Sequence, residues 1–142
     1  MSRHAGDFSE DARAAIYEAA GWRCVGCGNS SPLTTQHRIA RGMGGTSNAL
    51  IGDPANGVAL DGSGTTGCHG WTEANPTFAL ALGWRVGRHN DPLDVPWWTR
   101  YGWRKWNDDL TVSAVDESEL MNDQMAWRSA VAAYCRDRMV TL

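Results

Sequence analysis

The stretch QHRIARGMGGTSNALIGDPANGVALDGSGTTGCH, residues 36–69, decides how the chain is read. It opens on Gln36 and His37, closes on Cys68 and His69, and carries Asn56 between them. Leu33 to Ile39 alternates well enough for a short strand, and Ala40 to Asn56 is rich in Gly, Ser, Asn and Pro, as befits an irregular loop whose ends lie close together. Val58 to Leu60 predicts the partner strand. Cys68 to about Leu82 predicts a helix, with Trp71, Phe78, Ala79 and Leu82 as its buried stripe and Gly83 as its stop. The order strand, loop, strand, helix is expected to place His37, Asn56 and His69 on one concave face. There His37 would take a proton from water while His69 helps to hold a divalent cation.

Upstream, Ser9 to Ala20 predicts a helix capped by Ser9, with Glu10 and Asp11 at its positive end and Gly21 after it. WRCVGCGNSSPL then places Cys24 and Cys27 on a tight turn, the shape of a zinc knuckle. A thioredoxin-like pair normally opens a helix after a strand, whereas this CxxC follows a helix and runs into a Gly, Asn, Ser, Pro turn. GSGTTG, residues 62–67, satisfies GxGxxG but lacks the acidic residue of a dinucleotide fold and the Lys with Ser or Thr of a P-loop. Those glycines are read instead as room between two metal ligands.

After Gly83, turns at Asn90 to Pro92 and at Tyr101 with Gly102 predict two or three short antiparallel strands, with Trp84, Trp97, Trp98, Trp103 and Trp106 as their core. Residues 107–117 read as a polar linker. Glu117 to about Met139 has helical spacing of Leu120, Trp127, Val131 and Tyr134, and is expected to pack back on the domain or to dock a partner. The chain carries 13 Lys and Arg against 16 Asp and Glu, and the acidity is concentrated after residue 106. Arginines at 38, 41, 85, 88, 100 and 104 leave the front section near neutral, so the overall charge does not exclude a phosphate-rich partner. No apolar run approaches the roughly 20 residues of a membrane span, and the expected location is cytoplasmic.

His37, Asn56, His69 and the cysteines, in this order of elements, resemble the HNH nuclease family, the ββα-metal fold. RIARGMGG and CHGW look most like the small HNH proteins of actinobacteria and their phages. The resemblance covers roughly residues 9–106. It implies an α+β fold in a nuclease domain at 1–106: an N-terminal helix, a zinc knuckle, a ββα core at about 33–82 and a Trp-rich antiparallel hairpin at 84–106; beyond it, the spacing read above makes 107–142 a separate segment of acidic linker and C-terminal helix. It implies a hydrolase cutting DNA phosphodiester bonds with Mg²⁺, Mn²⁺ or Ni²⁺, in which His37 is the general base and His69 a metal ligand. Asn56 would ligate the metal or pin the loop. Arg38 and Arg41 are the expected phosphate contacts, and phage relatives imply a DNA-packaging terminase as a partner of the tail helix.

Two positions depart from the pattern. Gln36 stands where the family commonly has Asp or His, which leaves open whether its carbonyl ligates the ion or only hydrogen-bonds in the loop. Asp61 stands where the knuckle's third cysteine is expected. Cys24, Cys27, Asp61 and Cys68 could still close a tetrahedral zinc site; the alternatives are Cys135 or His4 as fourth ligand, or a knuckle without zinc. The competing functional reading is a non-catalytic zinc module that binds DNA or protein, or an accessory subunit of the terminase.

Overall fold

The computed structural model describes residues 7–40 and 49–142 and has a mixed α/β architecture. Helix α1, Glu10–Ala19, starts where Ser9 accepts a hydrogen bond from the Ala12 N–H at 3.0 Å, and Ala12 and Ile16 are its buried face. Strands β1, Leu33–His37, and β2, Gly57–Asp61, pair antiparallel, Leu33 opposite Asp61 and His37 opposite Gly57. All five residues of β2 are buried, because α1 and α2 both pack on it.

The single helix expected from Cys68 to Leu82 is two: α2, Gly67–Ala74, and α3, Pro76–Leu82. Pro76 lacks the N–H that would continue the first helix and drives Asn75 out of helical conformation, to φ −131° and ψ 62°. Its fixed φ suits the first turn of a new helix, and Gly83, at φ +72°, ends it.

The second sheet runs β3, Trp97–Thr99, then β4, Gly102–Trp106, then β5, Val112–Val115, all antiparallel. The stretch 107–117, read as a linker, is therefore a turn and the third strand. Asn107 builds the turn by donating to the hydroxyls of Thr111 and Ser113. The long C-terminal helix is also shorter than its spacing suggested: α4 covers only Trp127–Arg138, preceded by two single turns at 117–119 and 122–124. Gln124 interrupts that periodicity: its buried amide donates to the Pro96 carbonyl and accepts from the Met121 N–H. Helix α4 packs on the domain through Ala130, Ala133 and Tyr134. Tyr134 meets Trp71, Trp84 and Trp98 edge-on, with ring centroids 5.1 to 6.0 Å apart, so the expected tryptophan core exists and the tail closes it.

Arg38 and Arg41 are the expected phosphate contacts. Arg41 lies outside the described residues. Arg38 is fully buried, and its guanidinium donates to the carbonyls of Gly83, Ala55, Pro92 and Val95 at 2.8, 3.0, 3.0 and 2.5 Å. Burial lowers its pKa to about 9, which still leaves it charged at neutral pH. No phosphate reaches it; it ties the end of β1 to the segment between α3 and β3. The planar fork of donors suits this task better than a lysine ammonium would. Arg38→Leu leaves those carbonyls buried and unpaired, and should lower unfolding free energy by about 3 kcal/mol or more in chemical denaturation. Arg38→Lys is expected to recover only part of the loss.

Candidate metal centre and the histidine face

Two glycines bring the last residue of β2 up to the first turn of α2. Gly62 has φ +93°, and a side chain there would lie 2.2 Å from the Thr66 carbonyl oxygen; one at Gly67, φ +65°, would lie 2.6 Å from the Asp61 carbonyl. With no side chain at either, the loop folds back and the Cys68 N–H donates to Asp61 Oδ1 at 3.0 Å. The knuckle docks on the same strand end, where the Val25 N–H donates to the Ala59 carbonyl. The result is that one ligand atom each from Cys24, Cys27, Asp61 and Cys68 lies within 4.8 Å of the others. Cys135 is a half-buried residue of α4 and is not in this group; His4 lies outside the described residues.

Three thiols and a carboxylate make a donor set that zinc accepts, and the surroundings fit a bound cation. Asp61 is only 5 % exposed. Burial pushes its pKa up, but hydrogen bonds from Cys68, Asn29 and Cys27 outweigh that and hold it at about 2. It is thus ionised at any ordinary pH. Cys24 is lowered by a hydrogen bond from Cys27, yet the Cys68 thiol and burial drive it to about 12; Cys27 is raised by Cys24 and by burial. Without a cation Cys24 and Cys27 keep their protons, whereas a bound divalent ion would hold its sulfur ligands as thiolates. Tyr134 Oη lies 3.0 Å from Cys68 Sγ, and Arg138 lies 4.0 Å from Asp61 Oδ2. Helix α4 therefore supplies the groups around the ligands that would balance and orient them.

Cys68 and His69 are neighbours on α2 and serve different places. Cys68 is buried in the cluster, and His69 turns toward β1, where Nδ1 lies 2.8 Å from the Thr34 hydroxyl. That hydroxyl donates its one hydrogen to the Leu60 carbonyl at 3.0 Å, so it accepts from Nδ1–H and leaves the His69 Nε2 lone pair free. Nε2 faces Glu73 Oε1, one helical turn on, at 3.8 Å. Burial lowers the His69 pKa more than Glu73 raises it, so the ring is neutral at pH 7. Because the folded value lies below the unfolded 6.5, the stability tied to this ring is present above pH 6.5 and is lost as pH falls through the folded value.

The alternation of β1 places Gln36 on the same face as Thr34, roughly 7 Å along the strand. Gln36 is 1 % exposed; its Nε2 donates to the His37 carbonyl, which fixes the amide orientation, and its Oε1 has no hydrogen-bond partner among the described residues. The same alternation turns His37 the other way. Its ring stacks on Phe8 at 4.1 Å between centroids, and Phe8 lies just before α1. The common face expected for His37, Asn56 and His69 therefore does not form on the hairpin, because consecutive residues of a strand point to opposite sides.

Asn56 is fully buried. Its Nδ2 donates to the carbonyls of Ile39 and Ile51, and its Oδ1 accepts from the Ile39 N–H at 2.7 Å. Those bonds tie the two ends of the long loop together, which makes Asn56 the loop's pin. Sequence reasoning missed Glu73 as a site residue, although its position four residues after His69 on a helix was a readable signal. It also missed Thr34, which nothing but the pairing of β1 with β2 brings to His69. The chain matches no protein-family model, and no curated protein or solved structure is significantly similar to it.

Metal analysis of the purified protein is expected to return one zinc per chain, falling to none in Cys24→Ser. Stripping the ion with a chelator should lower Tm by roughly 10 °C. Affinity should fall as pH falls, since protons compete for the sulfurs.

Proposed function

We propose that the protein is a divalent-metal-dependent endonuclease of the HNH type that hydrolyses DNA phosphodiester bonds. The observation that carries this reading is the unpartnered Gln36 Oε1, buried on the face to which His69 turns. A buried carbonyl oxygen without a partner costs about 1 to 3 kcal/mol, and a hard cation on that face would satisfy it. His69 Nε2, a Glu73 carboxylate oxygen and Gln36 Oε1 are the groups that would hold such an ion. When bound, the ion would stabilise negative charge on the scissile phosphate and on the leaving oxygen.

The chain's own residues supply the rest. Thr34 keeps the proton of His69 on Nδ1, so that Nε2 stays a lone-pair donor. Asn56 holds the loop closed behind β1. His37, the last residue of the strand, stacks on Phe8 on the opposite face of the hairpin, so this reading gives it no part in proton transfer at the ion. The cysteine cluster, with zinc as the proposed ion, sets the depth of α2 and hence of His69 and Glu73.

A second reading, a zinc-bearing binding module without cleavage, is favoured by one contact: Arg85 lies 3.0 Å from Glu73 Oε2 and already neutralises that carboxylate. Incubation of supercoiled plasmid with Mg²⁺, Mn²⁺ or Ni²⁺ separates the two. Nicking is expected, with a loss of roughly 100-fold in His69→Ala and roughly 10-fold in Glu73→Gln and Gln36→Ala. Plasmid left intact by the parent under all three ions would falsify the nuclease reading.

A further inference from the structure

A groove of about 310 Å³ lies between the cysteine knuckle and the β3–β4 hairpin, lined among others by Arg23, Val25 and Gly28 on one side and Thr99, Tyr101 and Arg104 on the other. Neither Gln36, His69 nor Glu73 lines it, so it is separate from the proposed cutting face. We propose that this groove binds an unpaired nucleotide of a single-stranded nucleic acid. The inference deepens the nuclease reading by naming the form of the strand, and rests on it for the choice of a polynucleotide.

Charge and surface chemistry carry it. In a chain with net charge −3, the groove presents two arginines and no carboxylate among its lining residues. Each guanidinium is steadied by one backbone carbonyl, Arg23 by Gly28 at 3.2 Å and Arg104 by Trp103 at 3.0 Å. Both are thus aimed without being neutralised, which suits phosphate oxygens. The same groove is lined by Tyr101, 77 % exposed, in a protein whose Trp71, Trp84, Trp97, Trp98, Trp103 and Trp106 are all buried. Tyr101 is held at its backbone. It sits on a tight turn in which Thr99 Oγ1 accepts from the Tyr101 N–H and donates to the Gly102 carbonyl, and the Arg100 guanidinium lies 5.8 Å from its centroid. The neighbouring Trp22, between two residues that line or rim the groove, is 53 % exposed and held at φ +60°, a conformation that side-chain-bearing residues seldom adopt.

An exposed aromatic ring sharing a groove with arginines is the arrangement on which a base stacks while its phosphates are held. A duplex hides the faces of its bases in its own stack and cannot use Tyr101 in this way. An acidic peptide would engage the arginines but gains little from the ring.

The test is fluorescence anisotropy with a labelled 12-mer single strand and with the same sequence as a hairpin duplex, using the full chain without added divalent ion. The single strand is expected to bind at least tenfold tighter than the duplex. Tyr101→Ala should weaken single-strand binding roughly five- to a hundredfold, and Arg23→Glu with Arg104→Glu should weaken it further and flatten its salt dependence. All three side chains lie at the surface or rim, so zinc content and Tm should match the parent. Equal affinity for duplex, equal competition by an acidic peptide, or undiminished binding in Tyr101→Ala each overturns the proposal. Plasmid nicking is read separately: a protein that binds single strands through Tyr101 yet never nicks refutes the nuclease and leaves the groove standing.

Discussion

Four donor atoms from three separate segments, the knuckle, the end of β2 and the start of α2, meet within 4.8 Å, and the packing around them follows from that meeting. In the absence of a cation, burial and the neighbouring thiols leave the Cys24 and Cys27 thiols protonated beside an ionised carboxylate. A bound divalent ion turns the same crowding into a clamp. Tyr134 and Arg138 then reach the cluster from the far end of the chain, which makes α4 part of the centre rather than an appendage.

The second anchor is electrostatic and has no partner charge among the described residues. Arg38 is buried among backbone carbonyls, whose oxygens together compensate the desolvated guanidinium. It joins the residue after β1 to the segment between α3 and β3, while Asn56 closes the loop from the other side. The two side chains leave the end of the hairpin with little freedom, and His37 sits at that end. A rigid hairpin that carries His37 on one face and Gln36 on the other has a defined relation to α2, where His69 and Glu73 lie one turn apart.

Gln36 and Asp61, the two positions that depart from the pattern the sequence resembles, fare differently. Asp61 sits in the cluster with its carboxylate held ionised, so the Cys3Asp donor set is physically reasonable. Gln36 is a neutral residue whose amide is half satisfied, and its free oxygen is what the proposed catalytic ion would need. The same chemistry limits the site, since an amide oxygen without charge holds a divalent ion less tightly than a carboxylate would.

Local chemistry made several elements legible in the sequence. Ser9 before an apolar stripe marked α1, paired cysteines on a glycine turn marked the knuckle, and Gly62 to Gly67 marked the close approach of Asp61 to Cys68. These signals depend on neighbours in the chain. The break at Pro76 was legible too, yet the continuous apolar stripe of residues 71–82 masked it. What only the tertiary structure decided depends on residues far apart in sequence: that Arg38 is a core cation and not a phosphate contact, that Thr34 sets the tautomer of His69, that residues 112–115 are a strand because β4 offers a free edge, and that His37 faces Phe8. A sequence lists which side chains are present and how often they recur. Which face of the hairpin each one occupies, and which carbonyls await a buried guanidinium, is set by strand pairing and packing across the whole chain.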